Sequence, residues 1–176
     1  MHVTVYVGCS IDGFIARPDG AVDFLDTDMP PSTDLGFAAL LERVDVLVMG
    51  RNTFDFVINS GFDWPYGELP VRVATTRALE VPQDLTEVVA LISGSPEALV
   101  AQLEEQGFSS AYVDGGELGA AFLAAGRVDQ LTLTIVPITI GKGIRVFGDL
   151  TADQRWQHHE TVTDANGFVQ LTWVQP

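Results

Sequence analysis

The sequence is short of cysteine and of positive charge. Cys9 is the only cysteine in 176 residues, so no internal disulfide can form and the chain suits a reducing compartment. Lysine and arginine together number 9 against 24 aspartates and glutamates, a formal charge of −15, and Lys142 is the sole lysine. Such a surface repels nucleic acid and anionic membranes, so neither is expected as a partner. No apolar run reaches the length of a membrane span. The start, Met1-His2-Val3-Thr4-Val5-Tyr6, has no basic segment followed by an apolar one, so no signal peptide is read and a cytoplasmic location is expected. Chemical signatures are missing too. There is no G-x-G-x-x-G dinucleotide fingerprint and no G-x-S-x-G nucleophile elbow, and Gly141-Lys142-Gly143 lacks the remaining residues of a P-loop. Of the 3 histidines, His158 and His159 are adjacent and on a strand would point to opposite faces. Neither a metal site nor a hydrolytic triad is expected.

What is present is a folded α/β pattern. Hydrophobic residues make up 47% of the chain and mean hydropathy is +0.22, which separates it from disordered sequences. The length predicts one domain over residues 1–176. Alternation predicts a first strand over 2–9, followed by a turn-rich acidic loop running to Pro30-Pro31 with Asp19, Asp23, Asp26 and Asp28. Ser32-Thr33-Asp34 supplies N-cap chemistry for a helix over 34–43 with Phe37, Leu40, Leu41 and Val44 on its apolar face. A strand over 45–49 runs into a helix near Arg51, and an aromatic loop, Gly61 to Gly67, follows. Further strands are predicted over 71–74, 88–92 and 111–113. A helix opening at Ser95-Pro96 and stopping at Gly107, and another over 117–125, lie between and after them. From residue 130 the texture is all strand: 130–136, about 155–163 and 168–174, with Asn166-Gly167 as a hairpin signal. Together these predict a mixed central sheet, mostly parallel with antiparallel C-terminal strands, flanked by helices.

The organising stretch is Val46-Leu47-Val48-Met49-Gly50-Arg51-Asn52-Thr53-Phe54. Ligands of open α/β sheets gather at the carboxyl ends of strands, where helix N-termini aim amides outward. Gly50 allows a phosphate close to the backbone, Thr53 can hydrogen-bond it, and Arg51 adds a planar cationic fork. Comparable strand-end turns occur at Thr76-Arg77, Ser93-Gly94 and Asp114-Gly115-Gly116. Two arginines and two helix starts along one rim suit a ligand with several phosphates. Asp34 sits at the inward edge of its helix face and has two readings. It caps the helix, where negative charge is favourable, or it projects into a pocket between helix and sheet.

Several motifs, taken in order, resemble one family. Ser10-Ile11-Asp12-Gly13-Phe14-Ile15-Ala16, the run Asp45 to Phe54, Val113-Asp114-Gly115-Gly116 and the run Pro137 to Phe147 are similar to the dihydrofolate reductase superfamily, in its branch containing the bacterial RibD C-terminal, riboflavin-biosynthesis reductase domain. The resemblance implies a dihydrofolate reductase-like fold and an NADPH-dependent reductase passing hydride to a small pteridine, pyrimidine or related carbonyl or imine. It implies that Gly8 and Ile15 flank the nicotinamide. Gly50, Arg51, Thr53, Thr76, Arg77 and Ser93 would line the phosphate rim, and Gly115, Gly116, Glu117 and Leu118 would cradle the pyrophosphate. Asp34 becomes the catalytic candidate, by likeness to the acidic helix of dihydrofolate reductases, and a homodimer is implied, with Thr132, Thr134 and Gln170 suiting either a half-polar interface or a solvated face. The zinc deaminase portion of bifunctional riboflavin enzymes is not in this sequence, so a stand-alone relative is expected. A non-catalytic nucleotide-binding module on the same fold is the competing class.

Overall fold

In the computed structural model, which describes residues 1–25, 30–61 and 63–176, the most apolar strand lies near the middle of the sheet. Strand β3 (Val46–Gly50) has Val46, Leu47, Val48 and Met49 at 0% exposure. A parallel strand covered on both faces reads as a continuous apolar run, not as an alternation. Around it an eight-stranded sheet is ordered β5-β4-β3-β6-β1-β7-β10-β9. The strands in chain order are β1 (His2–Ser10), β2 (Phe14–Ala16), β3, β4 (Val71–Ala74), β5 (Val89–Ile92), β6 (Ser110–Asp114), β7 (Gln130–Val136), β8 (Ile144–Arg145), β9 (Gln157–Thr163) and β10 (Val169–Val174). Pairing is parallel from β5 through to β7, and antiparallel from β7 to β10 and β10 to β9.

Alternation along the strands sorts the core into two layers. On one face Val3, Val5, Val46, Val48 and Val113 pack with Leu99 and Leu103 of helix α3 (Pro96–Glu105) and with Phe122 and Leu123 of α4 (Gly116–Ala124). On the other, Leu47, Met49, Val71, Val73 and Tyr112 pack with Leu40 of α1 (Phe37–Leu41) and Phe54 of α2 (Arg51–Asn59). Helix α3 follows the expected chemistry: Ser95 Oγ accepts the Ala98 amide at 3.4 Å, Pro96 takes the first helical position, and Gly107 stops the helix at φ 90°.

Helix α1 is shorter than the predicted 34–43. Leu35 and Gly36 both adopt left-handed φ, 52° and 82°, so helical geometry begins only at Phe37. Leu35 is buried with Val136 and Phe168 in a small cluster below the late strands, and that burial turns the chain out of the helical path. Short strands β2 and β8, which pair with each other, were not predicted, since two or three residues carry no readable alternation. The 164–168 hairpin forms, with Asp164 N donating to Phe168 O at 2.9 Å. Its left-handed residue is Gly167 alone, at φ 88°, so Asn166 does not make the two-residue turn its sequence signals. Instead its amide donates to Asp164 Oδ1 at 2.8 Å.

Thr132, Thr134 and Gln170 are neither an interface nor a solvated face. All three are buried within the chain. Thr132 hydrogen-bonds Thr172 across the β7–β10 ladder at 3.1 Å, and Gln170 Nε2 donates to Thr134 Oγ1 and to the Tyr6 hydroxyl, each at 3.0 Å. A buried amide satisfied in this way holds the late strands in register, because an unpaired one would carry its full desolvation penalty. Asp26, Asp28 and Phe62 of the predicted loops lie outside the described residues. Among the described residues, no helix is long and apolar enough to cross a membrane.

Candidate active site

A cavity of about 730 Å³ opens at the carboxyl ends of β4, β3, β6 and β1, lined from α1, α2 and the start of α4. It brings together Gly8, Ile15, Gly50, Arg51, Thr53, Thr76, Arg77, Gly115, Gly116, Glu117 and Leu118 from distant parts of the chain. Ser93 is not among them. It is exposed on the neighbouring turn, where its carbonyl accepts the Gln102 side-chain amide at 3.0 Å.

The helix starts at this cavity differ from α3. Among the described residues, neither α2, which follows Gly50, nor α4, which follows Gly115, has a side chain capping its first amides. Uncapped N-terminal amides carry partial positive charge and await an acceptor. Glycine keeps the approach open. A Cβ on Gly50 would meet nothing within 4 Å, so the space above that backbone is free of protein. Gly115, at φ 99°, could not carry a Cβ without meeting Thr53 Oγ1 at 2.5 Å, and one on Gly116 would run into Ile15 Cδ1. This is a cradle of helix amides and small residues, and its donor set fits a phosphate-bearing cofactor.

Arg51 is held before any ligand arrives. Its Nε donates to Asp55 Oδ2 at 2.9 Å, one helical turn on, and Nη1 donates to the Ala78 carbonyl at 2.7 Å. A guanidinium fixed by two partners loses less rotamer freedom when a phosphate binds. The roof comes from the Ser10 to Ala16 motif, whose local logic is now visible. Ser10 Oγ donates to Asp12 Oδ1 at 2.6 Å and accepts the Phe14 amide at 3.1 Å. Asp12 in turn accepts the Ile140 and Gly141 amides at 3.2 and 2.7 Å. That clamp joins the β2 and β8 segments, and Ile15 and Ile144 from them reach the cavity. The Ser10 hydrogen bond is foremost in holding the Asp12 carboxyl below its ordinary range.

Asp34 is not among the residues that line the cavity, although its charge acts on Tyr6, which is. Asp34 is exposed, and its carboxylate accepts the Gly36 and Ala38 amides at 3.0 Å each. These bonds, that from Ala38 foremost, depress its pKa. The carboxylate therefore caps α1, since the left-handed pair Leu35-Gly36 folds it back over the first turn.

Two carboxyls line the cavity, Glu117 in the first turn of α4 and Asp114, and Asp114 is the less exposed. It is half-buried at the end of β6, and burial raises its pKa from the ordinary aspartate value, partly offset by the Gly115 amide donating to Oδ1 at 2.8 Å and by Tyr112. Tyr6, Phe37, Tyr66 and Tyr112 also line this end. Tyr6 and Tyr112 rings stand edge-on with centroids 6.4 Å apart, and Phe37 lies 5.8 Å from Tyr6 and 6.3 Å from Tyr112. Burial raises the phenol pKa of Tyr6, Tyr66 and Tyr112 alike, so these hydroxyls stay neutral donors. Period-two alternation on β1 and β6 sets Tyr6 with Gly8 and Tyr112 with Asp114. That signal was available, but nothing local says the two strands are neighbours. Among the described residues, no group of three or more His, Cys, Asp or Glu is arranged to hold a metal ion.

A mostly parallel sheet finished by antiparallel strands, with a glycine-cradled cavity across the β3, β6 and β1 ends, defines a protein of reductase-like fold. The family is specific: residues 1–170 match the RibD C-terminal domain, and the chain belongs to it. The crystal structure of a Shewanella sp. PV-4 protein provisionally named for riboflavin biosynthesis superposes with a TM-score of 0.90 at 36% identity, covering 100% of this chain and 99% of that one. YwjB of Bacillus subtilis (strain 168) is 30% identical over 152 residues, 86% of this chain and 85% of its own. The fold alone is shared with a Thermotoga maritima diaminohydroxyphosphoribosylaminopyrimidine deaminase/5-amino-6-(5-phosphoribosylamino)uracil reductase, at TM-score 0.72 and 14% identity. The match covers 99% of this chain and 56% of that protein.

Proposed function

We propose that this protein is an NADPH-dependent reductase acting on a small unsaturated heterocycle or a related carbonyl or imine. One observation carries the reading: uncapped α2 and α4 starts, Gly50, Gly115 and Gly116, and the only cavity-lining cations among the described residues, Arg51 and Arg77, converge on one cavity. In a chain of formal charge −15, two arginines at one cavity argue for an anionic ligand there. Arg51, Thr53, Thr76 and Arg77 would hold the phosphates, Gly115 and Gly116 the pyrophosphate, and Gly8 and Ile15 the nicotinamide. NADPH bound there would supply the hydride.

The chain's own part is orientation and the proton. Asp114, with Oδ1 taking the Gly115 amide, is the carboxyl that would pass a proton beside the acceptor, and burial moves its pKa upward, in the direction that role needs. The surrounding rings and Leu25 give that end largely apolar walls. A non-catalytic nucleotide-binding module on the same fold is the alternative class.

Fluorescence titration of NADPH, with NADH as control, on wild type and Arg51→Ala tests the cofactor. A lost charge-assisted contact is worth about 1.5–3 kcal/mol, so the variant should bind NADPH roughly ten- to a hundredfold more weakly. Absence of saturable binding by either nucleotide refutes the reading. NADPH oxidation with a panel of pterins and pyrimidines then separates enzyme from module, with Asp114→Asn expected to lose turnover while keeping cofactor affinity.

A further inference from the structure

The inner, aromatic end of the cavity has a charge pattern that speaks to the acceptor, on the basis of the reductase reading. We infer that the acceptor is a planar ring carrying no phosphate or other anionic group, a free heterocyclic base or quinoid ring and not a nucleotide.

The rings set the shape. Tyr6, Phe37 and Tyr112 form a mutual edge-and-tilt cluster with centroids 5.8–6.4 Å apart, and Leu25 closes on Gly8, where an added Cβ would lie 3.1 Å from Leu25 Cδ2. Aromatic walls of this kind favour flat ligands. The charges set the chemistry. Arg51 and Arg77 follow β3 and β4, whereas the ring cluster is built from β1, β6 and α1, displaced along the sheet order β4-β3-β6-β1. No other cation among the described residues lines the cavity.

Of the basic side chains on the roof segments, Arg17, Lys142 and Arg145, none lines the cavity. Arg17 is bound in a fork by Asp23, at 2.5 and 2.9 Å. Arg145 lies over the Phe14 ring, 5.2 Å from its centroid. Residues 26–29, Asp-Thr-Asp-Met in sequence, contain no cation. At the start of helix α1, which carries Phe37, Asp34 already takes the Gly36 and Ala38 amides with its carboxylate and the Phe37 amide with its carbonyl. An anion seated among these rings would have tyrosine hydroxyls and the Asp114 carboxyl for company, with no charge to balance it, and burying an unbalanced charge is unfavourable. The phosphoribosylamino substrate in the Thermotoga enzyme's name therefore does not suit this end of the present cavity.

The test is ligand binding in the presence of saturating NADP⁺, which fills the arginine rim. Lumazine serves as the bare ring, and riboflavin and FMN as a pair differing by one phosphate, each followed by fluorescence and equilibrium dialysis. Lumazine or riboflavin is expected to bind at least tenfold more tightly than FMN, with Phe37→Ala weakening the ring probes at least fivefold at unchanged NADP⁺ affinity. Leu25→Arg, which adds a cation beside Gly8, should narrow the riboflavin–FMN gap at least threefold. FMN binding as tightly as riboflavin, or no saturable binding of lumazine and riboflavin, overturns the inference while NADP⁺ binding leaves the reductase reading standing. Failure of NADP⁺ itself to bind overturns both.

Discussion

Replacing Gly115 by alanine should damage the protein through two separable routes. The backbone there has φ 99° and ψ 146°, a region essentially reserved for glycine, and an L-residue held in it costs about 1–3 kcal/mol. The added Cβ would also lie 2.5 Å from Thr53 Oγ1. Overpacking of that kind costs about 1–3 kcal/mol, so the single variant should lose about 2–6 kcal/mol. For a chain of this length each kcal/mol moves Tm by about 2–4 °C, which a thermal melt resolves readily. Thr53→Ala removes the colliding oxygen and leaves only its Cβ, 3.6 Å from the new methyl group. In the double variant the collision share should disappear and the backbone share remain, giving a coupling of about 1–3 kcal/mol between two residues 62 positions apart in sequence. Urea unfolding of the four proteins measures it. A Gly115→Ala cost equal in both backgrounds would refute the contact, and a cost under about 0.5 kcal/mol would refute the strain as well.

Other outcomes follow from the same geometry. Leu103→Ala, at a position with 0% exposure between α3 and the sheet, should cost about 2–5 kcal/mol, seen as a lower urea midpoint at unchanged m-value. Hydrogen bonds from Ser109, hydroxyl first and then amide, and from Ser110 pull the Asp45 carboxyl down to about 2. Its unfolded value is about 3.9, so its contribution is complete above about pH 4 and fades as pH falls through 2. The Tm gap between wild type and Asp45→Asn should therefore shrink from pH 5 to pH 2.5, and a constant gap would count against it. Asp12→Ala should speed amide exchange at Ile140 and Gly141, whose donors it holds at 3.2 and 2.7 Å, with little change in the β3 amides. Asp34→Ala should lower Tm and loosen the first turn of α1 while leaving NADPH affinity intact, and a large loss of affinity would mean that its carboxylate reaches beyond the cap.

Much of this protein is local, and local features are legible. An uninterrupted apolar run ending in Gly50 specifies a strand covered on both faces and a turn free of Cβ, because solvent exclusion and backbone sterics act on neighbours in sequence. Ser95-Pro96 and Gly107 mark α3 for the same reason. The strand-end residues Arg51, Thr76, Arg77, Gly115 and Gly116 were legible as one rim once the α/β alternation was read, since parallel strands share a carboxyl edge. Acidic composition alone made each arginine informative.

Other features depend on which segments become neighbours. Asp34 reads equally as a cap or a pocket acid until Leu35 is buried against Val136 and Phe168, more than 100 positions away, and that burial turns the backbone and assigns the carboxylate to the cap. Thr132, Thr134 and Gln170 read as a surface until Tyr6 and Thr172 satisfy them inside. Tyr6 and Tyr112 meet only because β1 lies beside β6, and the Asp114 pKa is raised only because the fold buries it there. The sequence by itself determined the strands, the glycine turns and the cationic rim, all set by interactions between residues close along the chain. Tertiary structure alone decided which carboxyl is buried at the cavity and which rings wall it, because burial and strand adjacency come from long-range packing that no local pattern encodes.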